Sequence, residues 1–203
     1  MYDGVTVFNI REYLSGENDV KLGEDELRQL FSEFFCDKNP DVERFLREQA
    51  IEFTKKNQSV TYLVFSKPDD ELIGYFTLAV KPITVNPKNF SNRMKNKIAR
   101  VSEVDKETGT YTLSAYLIGQ LGKNFRNEVN TKITGEELLQ TAMDTIRELQ
   151  YRVGGMVVFL EAECEEKLLN FYELQNGFKS FDIREVKCGT ENAHCLVQLL
   201  KVL

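Results

Sequence analysis

Apolar residues recur along this chain at two different spacings, and the switch between them marks out its elements. From Glu24 to Phe35, Leu27, Leu30, Phe31 and Phe34 share one face at helical spacing. From Asn39 to Lys56 the stripe is Val42, Phe45, Leu46, Ala50 and Phe53. That segment carries its own end signals. Asn39 can cap, Pro40 suits the first helical position, Asp41 and Glu43 stand at the positive end, and Lys55 and Lys56 at the negative end.

The period then shortens. VTVFNI (5–10), SVTYLVFS (59–66) and LIGYFTLAVKPITV (72–85) are β-branched and aromatic, and the turn-rich KPDDE joins the last two into a hairpin. TYTLSAYLIGQLG (110–122) predicts another long strand. Residues 133–151 return to helical spacing through Leu138, Leu139, Ala142, Met143, Ile146 and Leu149. GGMVVFLEA (154–162) lacks alternation, as a strand covered on both faces does. A helix over about 165–175 and two strand-like runs, FKSFDIREV and HCLVQLL, close the chain. The order is β-α-α-β-β, then β-α-β-α-β-β. Strand, crossover helix and strand over 110–162 imply a parallel pair. The expectation is a mixed α/β (α+β) fold, with one sheet and helices on both faces.

Composition narrows the classes. A chain of 203 residues with 42% hydrophobic and 29% charged positions forms one ordinary domain, expected to span 1–203. The longest apolar run, around Met156–Leu160, is too short for a bilayer, and MYDGVTVF has no basic or apolar leader, so the expected compartment is the cytoplasm, with no membrane partner. Cys36, Cys164, Cys188 and Cys195 show no Cys-x-x-Cys spacing beside the single His194. The expectation is buried free thiols, no metal site, and a turn or edge role for His194.

The net charge of −6 argues against broad nucleic-acid binding. Residues 1–38 hold nine acids against four bases, but 86–100 holds Lys88, Arg93, Lys95, Lys97 and Arg100 with no acid. That stretch reads as a solvated helix face or as a phosphate-contacting patch.

The chemistry centres on AYLIGQLGKNFRNEVNTKITGEELL (115–139): a strand, a polar loop, then a helix whose N-terminus can meet an anion. Thr134 and Glu137 form a capping box, and Gly135 in the first turn permits close approach to the backbone. A capped helix after a strand is commonplace and needs no ligand. Downstream, NFYELQNGF (170–178) puts Tyr172 near a helix end, five residues before a Gly-Phe pair.

Together these segments resemble the GNAT family of acetyl-CoA-dependent N-acetyltransferases. LIGQLGKN matches the strand that pairs with the cofactor, ITGEELLQTAMDTI the pyrophosphate helix, and FYELQNGFK the closing motif that usually reads F-Y-E-K-x-G-F. The resemblance covers most of the chain. FFCDKNPDVERFLREQA, TYLVF and LIGYFTLAV are similar to the toxin-like branch that acetylates aminoacyl-tRNA. The resemblance implies the GNAT fold, with a mostly antiparallel central sheet and a parallel pair splayed at the cofactor site. It implies acetyl-CoA as cosubstrate, contacted by Leu121, Gly122, Lys132, Ile133, Thr134, Gly135, Glu136 and Asn170. It also implies Tyr172 as the general acid that protonates the departing thiolate; a phenol of ordinary pKa ~10 stays protonated at neutral pH. Packing beside Phe171 and Phe178 is the alternative role for Tyr172.

The chain departs from the family at the phosphate loop. In NTKITG only Gly135 keeps the usual pattern, and Asn130 and Ile133 replace the other two positions. Glu136 and Glu137 oppose an anion there, against a helix-dipole gain of only ~0.3–1 kcal/mol; Lys123, Arg126 and Lys132 are the cations that offset them. The general base stays open between Glu161, Glu163 and water. The expected acceptor is the primary amine of a small molecule or peptide, and aminoacyl-tRNA engaged through the 86–100 bases is the alternative. A homodimer and a GNAT-like binding protein without catalysis are further readings.

Overall fold

The computed structural model describes residues 4–15, 23–186 and 194–203. Cys188 and the GTENA turn lie outside them, as does the side chain of His194. The chain forms two compact units. One comprises Met1–Ala79 and Ile118–Leu149, the other Val80–Leu117 and Gln150–Leu203.

In the first unit, β1 (Val5–Asn9) pairs antiparallel with β2 (Val60–Ser66), from Val5↔Ser66 to Asn9↔Tyr62. Strand β2 pairs antiparallel with β3 (Leu72–Val85), from Val60↔Leu78 to Phe65↔Leu72, with a bulge at Val64/Phe65. The KPDDE turn closes this hairpin, with Asp70 at φ 53°.

Helices α1 (Ile10–Ser15), α2 (Glu24–Ser32), α3 (Pro40–Arg44) and α4 (Ala50–Lys55) belong to this unit. Its core gathers Ile10, Leu27, Phe31, Phe34, Leu46, Ile51, Leu63 and Tyr75. The Tyr75 hydroxyl donates to the Val42 carbonyl at 2.5 Å, which satisfies the one polar atom of a side chain that is 0% exposed.

Two expectations change here. The helix predicted to Phe35 ends at Ser32, and Phe34 and Phe35 leave it in non-helical backbone. The long helix over 39–56 starts as predicted, with Asn39 Oδ1 accepting from the Asp41 and Val42 N–H groups, but a π turn at Phe45–Gln49 interrupts it. The extra residue in that turn rotates the buried stripe. Ile51 and Thr54 therefore face inward beside Ala50, and Phe53 is only half-buried.

The second unit contains β5 (Val157–Glu163), β6 (Lys179–Val186) and β7 (His194–Val202). Strand β7 lies between the other two and is antiparallel to both. The expected strand start at Gly154 moves to Val157, because the chain turns at Gly154 and Gly155 out of the preceding helix. The core here joins Ile83, Val85, Phe90, Ile98, Leu113, Phe159 and Leu200. Helix α5 (Asn92–Ile98) folds out of the basic stretch, capped by Ser91 Oγ on the Met94 N–H at 3.3 Å, and Met94 and Ile98 attach it to that core.

Strand β4 (Tyr111–Lys123), like β3, runs through both units, and α6 (Gly135–Val153) follows it. The strands hydrogen-bond in the order β1-β2-β3-β4-β5-β7-β6, mostly antiparallel with one parallel pair, and α6 is the crossover from β4 to β5.

Candidate cofactor and catalytic residues

Within the first unit, β4 packs closely against α3 at its end. A Cβ on Gly122 would stand 2.3 Å from Val42 Cγ1, so a larger residue fits only if the Val42 side chain or its helix shifts. Gly122 is thus a packing requirement as well as the expected cofactor neighbour. Leu121 and Lys123 on either side are half-buried.

The next residue, Asn124, is 3% exposed and holds the strand end in place. Its Nδ2 donates to the Leu72 carbonyl at 2.8 Å and the Glu33 carbonyl at 3.2 Å, and its Oδ1 accepts from the Phe35 and Arg126 N–H groups at 3.0 and 3.1 Å. Its own N–H donates to the Ile73 carbonyl at 2.9 Å. One amide therefore clamps β4, the start of β3 and the segment after α2. Nothing in the sequence marks out Asn124, since a lone Asn in a polar loop has no periodic signature.

The loop then tightens through Arg126–Lys132, where Asn127 and Glu128 take φ of 49° and 62°. The left-handed region costs a non-glycine residue roughly 1–2 kcal/mol, and buried Val129 and Ile133 hold the loop in that shape. Ile133 is 1% exposed, which leaves only its backbone for the cofactor contact expected of it.

Helix α6 opens with the predicted capping box. Thr134 Oγ1 accepts from the Glu137 N–H at 3.1 Å, and Glu137 Oε2 accepts from the Thr134 N–H and hydroxyl at 2.7 and 2.8 Å. Gly135 and exposed Glu136 form the rest of the first turn.

The cations expected to offset the acids there are mostly engaged. The Lys132 ammonium binds Asp69 and Glu71, which raises its own pKa, while its contact lowers that of Asp69. Arg126 pairs with Glu33 at 2.5 Å. Lys123 is the remaining cation of the three. Burial, then the charge of Lys38, pulls its ammonium below the usual value, and Glu137 opposes that shift. The donor set fits a diphosphate only in part: two helix-start N–H groups and Lys123, with Glu136 against them.

In the second unit, α7 (Glu166–Leu169) continues into a π turn at Asn170–Gln175. Short π segments widen a helix by one residue and recur at functional positions. Asn170 is exposed at its start, and Tyr172 sits inside it.

The Tyr172 ring contacts Phe171 and Phe178 edge-on, at 5.0 and 5.8 Å between centroids. The Phe178 N–H donates to the Tyr172 carbonyl at 3.0 Å across Gly177, whose φ of 70° turns the chain out of the helix. Asn176 Nδ2 donates to the Phe171 carbonyl at 2.8 Å, and Glu173 Oε1 accepts from the Ser180 N–H at 3.0 Å. The whole segment is locked, with Phe178 at 0% exposure as its anchor. Tyr172 as a residue is only half-buried, yet desolvation around its hydroxyl pushes the phenol up to about 12.

Of the two base candidates, Glu161 accepts from Gln198 Nε2 at 2.6 Å and lies 3.7 Å from the Arg184 guanidinium. Both contacts occupy the carboxylate with residues of its own sheet. Lys88, Arg93 and Arg100 are exposed, and Lys95 and Lys97 half-buried; none of the five enters an ion pair among the described residues. Among those residues no cluster of three His, Cys, Asp or Glu could hold a metal ion, and no helix is long and apolar enough to cross a membrane.

The sequence matches no protein-family model and no curated protein. Solved structures do match. A Tyr-to-Phe mutant of KacT superposes with a TM-score of 0.61 at 20% identity, over 98% of this chain and 95% of that one. AtaT complexed with acetyl-methionyl-tRNA gives 0.60 at 17% identity, over 95% and 93%. A Tyr-to-Phe mutant of the AtaT toxin, bound to acetyl-CoA and the C-terminus of the antitoxin AtaR, gives 0.55 at 16%, over 98% and 94%. The likeness establishes the fold. The chain has the GNAT fold expected from its motifs, and shares it along nearly its whole length with toxins of that fold.

Proposed function

We propose that this chain is an acetyl-CoA-dependent N-acetyltransferase whose acceptor is the amine of an aminoacyl-tRNA. The observation that carries acetyl transfer is Tyr172, a desolvated phenol that keeps its proton, in a segment whose backbone is fixed on both sides. Acetyl-CoA would supply the acetyl group as a thioester. The backbone of Leu121 and Gly122 would pair with its arm, and the N–H groups of Gly135 and Glu136, with Lys123, would meet its phosphates. Asn170, exposed two positions before Tyr172, is the further contact that the resemblance to the family implies. Tyr172 would hold a proton for the departing sulfur.

The acceptor reading rests on the bases of 88–100, which form no ion pair among the described residues, and on AtaT, a protein of this fold solved with acetyl-methionyl-tRNA. An enzyme that blocks aminoacyl-tRNA harms its own cell, so a neutralising protein partner belongs to the same proposal. A small-molecule or peptide amine is the second reading, favoured by the net charge of −6.

Charge reversal separates the two. The double substitution Lys95→Glu, Lys97→Glu is expected to lower kcat/KM for aminoacyl-tRNA at least ~10-fold, and to flatten its salt dependence by about one slope unit for each phosphate no longer neutralised. Acetylation of a small amine should not change. Equal rates on tRNA before and after reversal, at every salt concentration, would leave the small-amine reading in its place.

A further inference from the structure

Cys164 and Cys195 oppose one another in the second unit. The β5–β7 register runs from Val157↔Val202 to Glu163↔Leu196, and one step further the Cys164 N–H donates to the Cys195 carbonyl at 3.2 Å. That bond marks a hydrogen-bonded antiparallel pair, whose side chains project to the same face with Cα atoms about 5.5 Å apart. A disulfide spans about 4.4–6.8 Å between Cα atoms and about 3.5–4.5 Å between Cβ atoms, so bridging asks the two Cβ atoms to close by about 1 Å, a shift the end of β5 can make.

Both thiols are free, but not buried as the sequence led one to expect: Cys164, just past the end of β5, is exposed and Cys195 half-buried. Cys164 also lines a cavity of about 500 Å³ with Leu169, Glu173, Phe181 and Ile183, which leaves a small oxidant room to reach it. Cys36, by contrast, is buried in the core of the first unit.

We propose that Cys164 and Cys195 are a reversible redox pair, in which hydrogen peroxide oxidises Cys164 and Cys195 then closes a cross-strand disulfide. In the first step the Cys164 sulfur attacks the peroxide O–O bond. That bond breaks, Cys164 becomes a sulfenic acid, and the other oxygen leaves as water. In the second step the Cys195 sulfur attacks the Cys164 sulfur. An S–S bond forms, the S–O bond breaks, and the oxygen departs as water with the Cys195 proton. Two thiols lose two electrons and one peroxide becomes two waters; a dithiol reductant reverses the change.

The surroundings divide the roles. Burial, contact with Cys164, and the charges of Glu185 and Glu163 hold the Cys195 thiol above its usual range, which suits it to resolve rather than to react first. Closure would fasten β7 to the residue just before Glu165, the N-cap of α7, and so to the helix that leads to Tyr172. The pair stands whether or not acetyl transfer does.

Mass spectrometry of the full chain tests it. Wild type and Cys188→Ser are treated with hydrogen peroxide, blocked with N-ethylmaleimide and digested with trypsin. The Cys188→Ser variant is needed because Cys188 and Cys195 share one tryptic peptide. The expected result is a Cys164–Cys195 cross-link in both proteins that dithiothreitol reopens. It should be absent from Cys164→Ser, and Cys195→Ser should accumulate a sulfenic acid on Cys164 that dimedone traps. A stable Cys164 sulfenic acid in wild type without the cross-link, or a bond from Cys164 to Cys188, to Cys36 or to a second chain, would overturn the proposal.

Discussion

Tyr172→Phe is expected to lower kcat by roughly 10²–10⁴, the usual range for loss of a positioned general acid, while acetyl-CoA binding stays within about twofold. The substitution deletes one oxygen and keeps the ring that packs on Phe171 and Phe178. The fold should therefore survive, and the loss should appear in kcat rather than in KM.

A phenol at about 12 is a reluctant donor. Full transfer to a solvated thiolate of ordinary pKa ~8.5 would be uphill by ~4–5 kcal/mol. Donation is favourable only if the departing sulfur is desolvated too, since the same burial raises its affinity for a proton. The sign of the pH dependence follows from the raised value. Tyr172 stays protonated well beyond pH 10, so it contributes no alkaline loss of rate there. The rate should rise with pH as the acceptor amine loses its proton, and then stay flat to about pH 10. A fall centred near an ordinary phenol pKa would contradict both the value and the role.

The largest loss of stability is expected not at an aromatic but at Asn124. Asn124→Ala removes the partners of four backbone groups, on Phe35, Arg126, Leu72 and Glu33. Each buried group left without a partner costs ~1–3 kcal/mol, and solvent can reach some of them, so roughly 3 kcal/mol is expected in total. For a chain of this size that is a fall in Tm of about 6–12 °C, readable by circular dichroism. Asn124→Asp makes the sharper comparison. It keeps the acceptor but sets a carboxylate against the Leu72 and Glu33 carbonyls. It should be at least as damaging at neutral pH and recover in part on acidification, when the protonated acid can donate. An Asn124→Ala protein as stable as wild type would mean that the clamp contributes nothing.

What the sequence disclosed was whatever is encoded within a few residues. The Asn39–Pro40 start of α3, the Thr134/Glu137 box and the Gly177–Phe178 exit after Tyr172 are local, and all three are present. Pairings between distant residues were not legible. Lys132 looked free to serve a phosphate until Asp69 and Glu71, some sixty positions away, took it. Asn124 gave no sign of reaching Glu33 and Leu72. The π turn at Phe45–Gln49 escaped because one inserted residue rotates a stripe without spoiling its hydrophobic count. The order β5-β7-β6 and the meeting of Cys164 with Cys195 arise only when the last strand inserts between its predecessors.

The central claim is that this fold still holds acetyl-CoA at the start of α6 despite its altered loop. Calorimetric titration of acetyl-CoA into wild type, Gly135→Asp and Tyr172→Phe tests it most directly. An Asp in the first turn suits the helix dipole, so Gly135→Asp should fold while its charge repels the diphosphate. The account predicts saturable binding to wild type and to Tyr172→Phe, and loss of binding in Gly135→Asp. No heat of binding to wild type at millimolar acetyl-CoA would contradict it, and would leave a GNAT fold that serves as a binding protein.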